Sequence, residues 1–202
     1  MKYTDLLYIS KVKTNIAAFG NKVILIAQLL DISPNSLMFV MNNESGLDHT
    51  IKNPNGSATG LIQFTEATAK NLGTTTAALK AMTNVQQLDY VWKYLQQWKS
   101  EIKDTGSLYL SIFYPAALFK ENSYQFPKWV VQANPIFDLN KDGNLTKSEF
   151  LSYVNQKYAK AIQANQITES AAQSKKSPLT DMFLLGIALY GLYKYQEYRN
   201  NN

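Results

Sequence analysis

Apolar residues recur three or four positions apart through most of the chain, and alternation with period two is rare, so the pattern predicts a mainly helical protein. Ile16, Phe19, Val23, Ile26, Ala27 and Leu30 mark a helix over residues 14–30, with Ile24 and Leu25 widening its apolar face towards full burial. Asp31-Ile-Ser-Pro34 interrupts it. A second helix starts near Pro34–Asn35, runs through Leu37, Met38, Val40 and Met41, and stops near Gly46. Residues 47–60, rich in Asn, Gly, Pro and Thr, read as loop. Thr65–Asn71 reads as a short helix closed by Gly73. Val85, Leu88, Val91, Trp92, Leu95, Trp98 and Ile102 form the stripe of an amphipathic helix over 84–102. An apolar segment over 108–119 holds Pro115, residues 126–137 are loop-like between Pro127 and Pro135, and 147–163 is a clear helix. Residues 163–177 are small and polar, as in a linker.

The chain then turns apolar again, with an uncharged run from Met182 to Tyr193. As a helix that run covers ~18 Å, against ~30 Å of bilayer hydrocarbon. Two readings stand: a last helix docked on protein, or a membrane anchor over 179–198 with flanking residues completing the span. Tyr190, Tyr193, Tyr195 and Tyr198 resemble an interfacial aromatic belt. At the other end, Lys2, Asp5, Lys11, Lys13 and Lys22 break up every apolar stretch, so no cleavable secretion signal is evident.

Composition narrows the chemistry. The length of 202 residues suits one domain with an appendage. Cysteine is absent and His49 is the single histidine, which excludes disulfides, thiolate nucleophiles and His- or Cys-based zinc sites. Catalysis would have to use carboxylates, hydroxyls or amides. The net charge of +5 is spread out, with no basic run longer than Lys175-Lys176. That argues against nucleic acid as a partner and suits an anionic polymer.

Glu44 ends the second helix among apolar residues. Burial and the negative pole of the helix would both favour its protonated form, the state of a general acid. Downstream, Glu44-Ser45-Gly46-Leu47 is followed by Gly60-Leu61-Ile62-Gln63-Phe64, then Thr68-Ala69, then Leu72-Gly73, then Tyr114 in Ile112-Phe113-Tyr114-Pro115. In that order these segments resemble the lytic transglycosylase family of the lysozyme superfamily, over roughly residues 14–125. Pro115 departs from the family's pattern, which has Asn there. The resemblance implies a lysozyme-like α+β relative, here mainly α, that cleaves the β-1,4 bond between N-acetylmuramic acid and N-acetylglucosamine in peptidoglycan. It implies Glu44 as the single acid and base. It also implies Ser45, Gly60, Gln63 and Tyr114 as substrate-binding residues, with Tyr114 also helping to hold Glu44. Asp48 and Glu66 are candidates for a second carboxylate, neither of them compelling. A hydrolytic muramidase stays open beside the non-hydrolytic route, as does a non-catalytic calcium-binding or glycan-binding virion protein of lysozyme-like fold.

A second motif lies further on. Asp138-Leu-Asn140-Lys-Asp142-Gly143-Asn144-Leu145-Thr146-Lys-Ser-Glu149 follows the twelve-residue EF-hand pattern. Asp138, Asn140 and Asp142 supply oxygens, Asn144 a backbone carbonyl, Thr146 a ninth-position ligand and Glu149 a bidentate carboxylate. Pro135 shortens any entering helix and no second loop pairs with this one. The expectation is therefore a structural Ca²⁺ that fixes the start of the following helix, not a sensor. The chain is thus expected to divide into a catalytic core (1–125), a calcium loop and helix packed on it (126–163), a polar linker (164–178) and a hydrophobic C-terminal segment (179–202). Peptidoglycan strands, a membrane and virion proteins are the expected partners, and a phage virion or the cell envelope is the expected location.

Overall fold

Helix α1 (Ile16–Leu30) buries Phe19, Val23, Ile26, Ala27 and Leu30 and leaves Leu25 53% exposed. The structure, a computed structural model, describes residues 1–174 apart from Asn55. The apolar face of α1 is thus narrower than Ile24 and Leu25 suggest. The most deeply buried helix is α2 (Pro34–Ser45), where every residue from Ser36 to Met41 lies inside. Pro34 opens α2 in its first turn, and Gly46 closes it in the left-handed region at φ +63°. The N-terminal segment docks on this start, since the Asn35 side chain accepts the Leu7 amide at 2.8 Å.

Three short helices follow: α3 (Glu66–Asn71), α4 (Thr76–Ala81) and α5 (Asn84–Leu95). Each begins on a threonine hydroxyl that accepts a first-turn amide, at Thr65, Thr75 and Thr83. No helix is expected at α4 from the pattern, because six residues are too few to show a period. Helix α5 ends at Leu95, well before 102, and tightens into a 3-10 turn over Gln96–Trp98. Helix α6 (Thr105–Phe113) stops one residue before Tyr114, because Pro115 disfavours helical backbone in the residue preceding it. Between Pro127 and Pro135, where loop is expected, one helical turn and a half forms as α7 (Lys128–Ala133).

Helix α8 (Lys147–Ser174) continues through the first part of the expected linker. Residues 164–174 hold Ala, Gln, Glu and Ile with no Gly or Pro, and helix propensity there outweighs polarity. Asn155 of α8 ties it to α6 by accepting the Gly106 amide at 2.8 Å and donating to Asp104 at 2.7 Å. A Cβ on Gly106 would meet Asn155 at 3.0 Å and Leu151 at 3.1 Å, so glycine lets this crossing close without displacing either neighbour. Phe113, Phe126, Phe137 and Phe150 then form an aromatic core, with Phe113 stacked on Phe150 at 5.0 Å.

Residues Met1–Ala161 form one compact unit, with no division at 125, because this aromatic core joins the two expected parts. Ile162–Asn202 form a second unit, described as far as the end of α8. Extended pairing among the described residues is limited to isolated bridges, Lys52 with Thr59, Thr59 with Phe64 and Gln125 with Thr146. No single helix among the described residues is long and apolar enough to cross a membrane. The hydrophobic segment 179–202 and the last residues of the expected linker lie outside the described residues.

Candidate active site

Glu44 is the penultimate residue of α2, where the most buried helix of the fold reaches the surface. Burial pushes its pKa from an ordinary 4.5 up to about 7. The opposing influence is a hydrogen bond from the Tyr109 hydroxyl on α6, which favours the charged carboxylate. Burial, and then the charge of Glu44, hold the Tyr109 phenol far above its usual 10, so it remains a donor. Tyr94 of α5 also feels Glu44, and burial raises its pKa to about 12. Its hydroxyl donates to the Ser111 carbonyl at 2.6 Å, which fixes the ring. Each phenol lines a cavity. The one at Tyr94 is about 420 Å³, with Thr68, Asn71, Trp98 and Pro115 among its walls. The one at Tyr109 is about 320 Å³.

Tyr114, expected to hold Glu44, does not do so. It caps the end of α6 and bonds to Tyr124, beside Phe126 at 5.3 Å and Trp129 at 6.4 Å. Pro115 ends the helix there, so the tyrosine facing Glu44 is the one more than a turn earlier, Tyr109. The Ser45 hydroxyl is buried and lies 2.9 Å from the Met41 carbonyl and 3.0 Å from that of Leu61. It ties α2 to the next segment.

Gly60 is required from within as well. It has φ +79°, and a Cβ there would meet the Gln87 amide at 2.9 Å. Gln63, at φ +53°, donates from its side chain to the Gly60 carbonyl at 3.1 Å and is half-buried. The residue that organises this loop is Gln87, fully buried on α5. It accepts the Leu61 amide at 3.0 Å and donates to the carbonyls of His49 at 2.6 Å and Leu79 at 2.7 Å. The sequence offers one signal for it: an amide on the inward stripe beside Leu88, where a polar side chain must find partners.

Both second-acid candidates are bonded to nearby threonines. Asp48 accepts both the amide and the hydroxyl of Thr50, at 2.8 and 2.7 Å, which hold its carboxyl below the usual range. Glu66 starts α3 and bonds to the Thr76 hydroxyl.

The 138–149 loop wraps inward on itself. Asp138 accepts the Gly143 amide at 2.9 Å, Asn140 that of Asp142 at 2.9 Å, and Asp142 that of Asn144 at 2.7 Å. Glu149 accepts the amide and hydroxyl of Thr146 through Oε2, at 2.9 and 2.8 Å. The second oxygens of the two end residues, Asp138 Oδ1 and Glu149 Oε1, are buried with no hydrogen-bond partner. Buried carboxylate oxygens without a donor are costly, and a cation would supply what they lack. Among the described residues no three His, Cys, Asp or Glu side chains close up as a ready cluster. The loop's oxygens instead come from a mixture of carboxylates, Asn140, Thr146 and the Asn144 backbone. Leu145 is fully buried, and Phe126 donates to its carbonyl at 2.8 Å, which anchors the loop to the aromatic core.

A helical fold with one buried, near-neutral carboxyl at the end of a central helix suits acid–base chemistry. The family model of the transglycosylase SLT domain matches residues 23–113, and this part of the chain is an SLT domain of the lysozyme-like superfamily. The chain is accordingly a peptidoglycan-cleaving enzyme. No curated protein and no solved structure matches it. The matched span includes Glu44, Gln87, Tyr94 and Tyr109, and ends before Tyr114.

Proposed function

We propose that Glu44 is the single acid and base of a lytic transglycosylase that cuts between N-acetylmuramic acid and N-acetylglucosamine. The observation that carries this is the buried Glu44 carboxyl, poised near pH 7 and hydrogen-bonded by Tyr109. Protonated Glu44 gives its proton to the glycosidic oxygen as the bond from the muramic C1 breaks. The substrate's own N-acetyl oxygen bonds to C1 and stabilises the developing positive charge. The Glu44 carboxylate then takes the proton of the muramic 6-hydroxyl as that oxygen bonds to C1 and displaces the acetyl oxygen, leaving a 1,6-anhydro end. A group near pKa 7 serves both steps at neutral pH. Peptidoglycan digestion followed by mass spectrometry tests this. Anhydro ends from wild type and no cleavage by Glu44→Gln are expected. Reducing ends would indicate hydrolysis, and undiminished cleavage by Glu44→Gln would reject its role.

The same proposal includes a structural Ca²⁺ held by Asp138, Asn140, Asp142, Asn144, Thr146 and Glu149. Support comes from the two partnerless oxygens at the ends of the loop. Bound there, the ion supplies positive charge that joins the start of α8 to the segment after α7. Its place of work is then the wall, as part of a phage particle or of the cell envelope. Immunodetection in purified particles and in envelope fractions separates those two locations.

A further inference from the structure

The cavity at Tyr109 has walls of two origins. Phe39, Asn43 and Tyr109 belong to the matched domain, whereas Tyr8, Phe137 and Lys157 are among those from outside residues 23–113. It is therefore an addition of this chain to the shared domain. At about 320 Å³ it lies at the small end of ligand sites and admits a compact group, not a polymer. The one charged side chain on its wall is Lys157, whose ammonium lies 5.5 Å from the centre of the Tyr153 ring. Behind the wall, outside its lining, the Lys11 ammonium lies 4.8 Å over the Tyr8 ring and donates to Asn42 at 2.8 Å. The surroundings are thus aromatic and cationic, which suits a carboxylate carried on a short, partly apolar body. Tyr109 is shared between this wall and Glu44, so the cavity adjoins the hydrogen-bond partner of Glu44.

Peptidoglycan presents such a group beside each muramic residue: the stem peptide, short, rich in alanine and bearing carboxylates. We propose that this cavity is a subsite for the acidic stem peptide, with Lys157 pairing a carboxylate and Phe137 and Tyr153 covering its apolar part. The inference rests on Glu44 being the cutting residue. It makes the enzyme selective for strands that still carry peptides, through residues that the SLT domain itself does not supply.

Calorimetric titration of the full chain tests it, with the tetrapeptide L-Ala-γ-D-Glu-L-Lys-D-Ala and the same peptide with its carboxylates amidated as probes. The free acid is expected to bind at least about tenfold more tightly than the amidated form. Lys157→Gln should lose that difference and Lys157→Arg should keep it. Both changes are at an exposed position and leave the core intact. Ile136→Trp, at the exposed rim, should weaken binding by filling the entrance. On peptidoglycan stripped of its peptides by an amidase, KM should rise for wild type, and Lys157→Gln should show no such rise. Equal binding of both peptides, no binding at millimolar concentration, or an unaltered Lys157→Gln would overturn the proposal. Glu44→Gln separates the two claims. If it turns over like wild type, the catalytic reading fails. If it is inactive and peptide binding is absent, only the subsite fails.

Discussion

Tyr109, on α6, donates its hydroxyl to the carboxyl of Glu44 at the end of α2. The two act against each other. Burial drives Glu44 towards the neutral form, and the phenol pulls it back towards the charged one, with about 7 as the result. Because its own pKa is pushed far up, Tyr109 cannot surrender its proton in the working range and remains a donor in both steps of the reaction.

Removing that donor should raise the Glu44 pKa further. Tyr109→Phe is expected to move the alkaline limb of the pH–rate profile upwards by roughly a unit, the worth of one hydrogen bond to a charged group. The maximal rate should fall about tenfold or more, since the carboxyl loses its orientation. Tyr114→Phe should leave the profile in place, because Tyr114 bonds to Tyr124. An unmoved alkaline limb in Tyr109→Phe would contradict the assignment.

The same shift has a cost in stability. Glu44 titrates at about 7 when folded and at an ordinary 4.5 when unfolded. The unfolded chain releases its proton first. The contribution to stability is therefore complete below 4.5 and is lost as pH rises through 7, by on the order of 3 kcal/mol. Glu44→Gln carries no charge at any pH and escapes this loss. Thermal melts should show the variant gaining on wild type between pH 5 and pH 8. Parallel curves over that interval would show that Glu44 is not shifted.

How much of this could be read beforehand depends on the kind of signal. The position of Glu44 was legible because an unbroken apolar stretch, Leu37–Met41, leads straight to Gly46, and a helix terminus is a local event. The turn at Gly143 and the start of α8 at Lys147 were legible because both are local events. Tyr109 was not, since a tyrosine among Leu108, Leu110 and Phe113 looks like core until α2 is laid against α6. Tyr114 was favoured instead by its place in a motif, and Pro115 removed it from the site by ending the helix. The roles of Ser45 and Gly60 turned inward for a related reason: Gln87, distant in sequence, fills the space that a local reading gave to substrate. Helix α8 passed 163 because alanine and glutamine satisfy a helix without any apolar stripe to reveal it.

Gln87 should accordingly dominate the stability of the 47–64 segment. Gln87→Leu leaves the Leu61 amide and the carbonyls of His49 and Leu79 without their partner, a cost of roughly 3 kcal/mol or more. Gly60→Ala should also destabilise, through its positive φ and through collision with the same amide. The two changes are therefore coupled. In a Gln87→Ala background the Gly60→Ala change should cost less than in wild type, because only the backbone strain remains. Urea unfolding of the four proteins measures the coupling, and strict additivity would show that the glycine is not needed by Gln87.

The loop predicts a dependence on calcium that does not require turnover to be seen. If Asp138 Oδ1 and Glu149 Oε1 share an ion, chelation leaves two buried carboxylate oxygens without a counter-charge, and the loop's hold on α8 weakens. Chelator should lower the melting temperature, and added Ca²⁺ at a hundred times its Kd should restore about 2.7 kcal/mol. Glu149→Gln is the discriminating variant. It keeps an oxygen for the Thr146 bonds that open α8 but removes the charge at the last loop position. Its melting temperature should therefore respond far less to calcium, without the helix start being lost. Asp48→Asn, a carboxylate in another loop, should leave the calcium response as in wild type. A wild-type melting temperature indifferent to chelator, together with no calcium by elemental analysis, would show that Thr146 and Glu149 form a helix cap and nothing more.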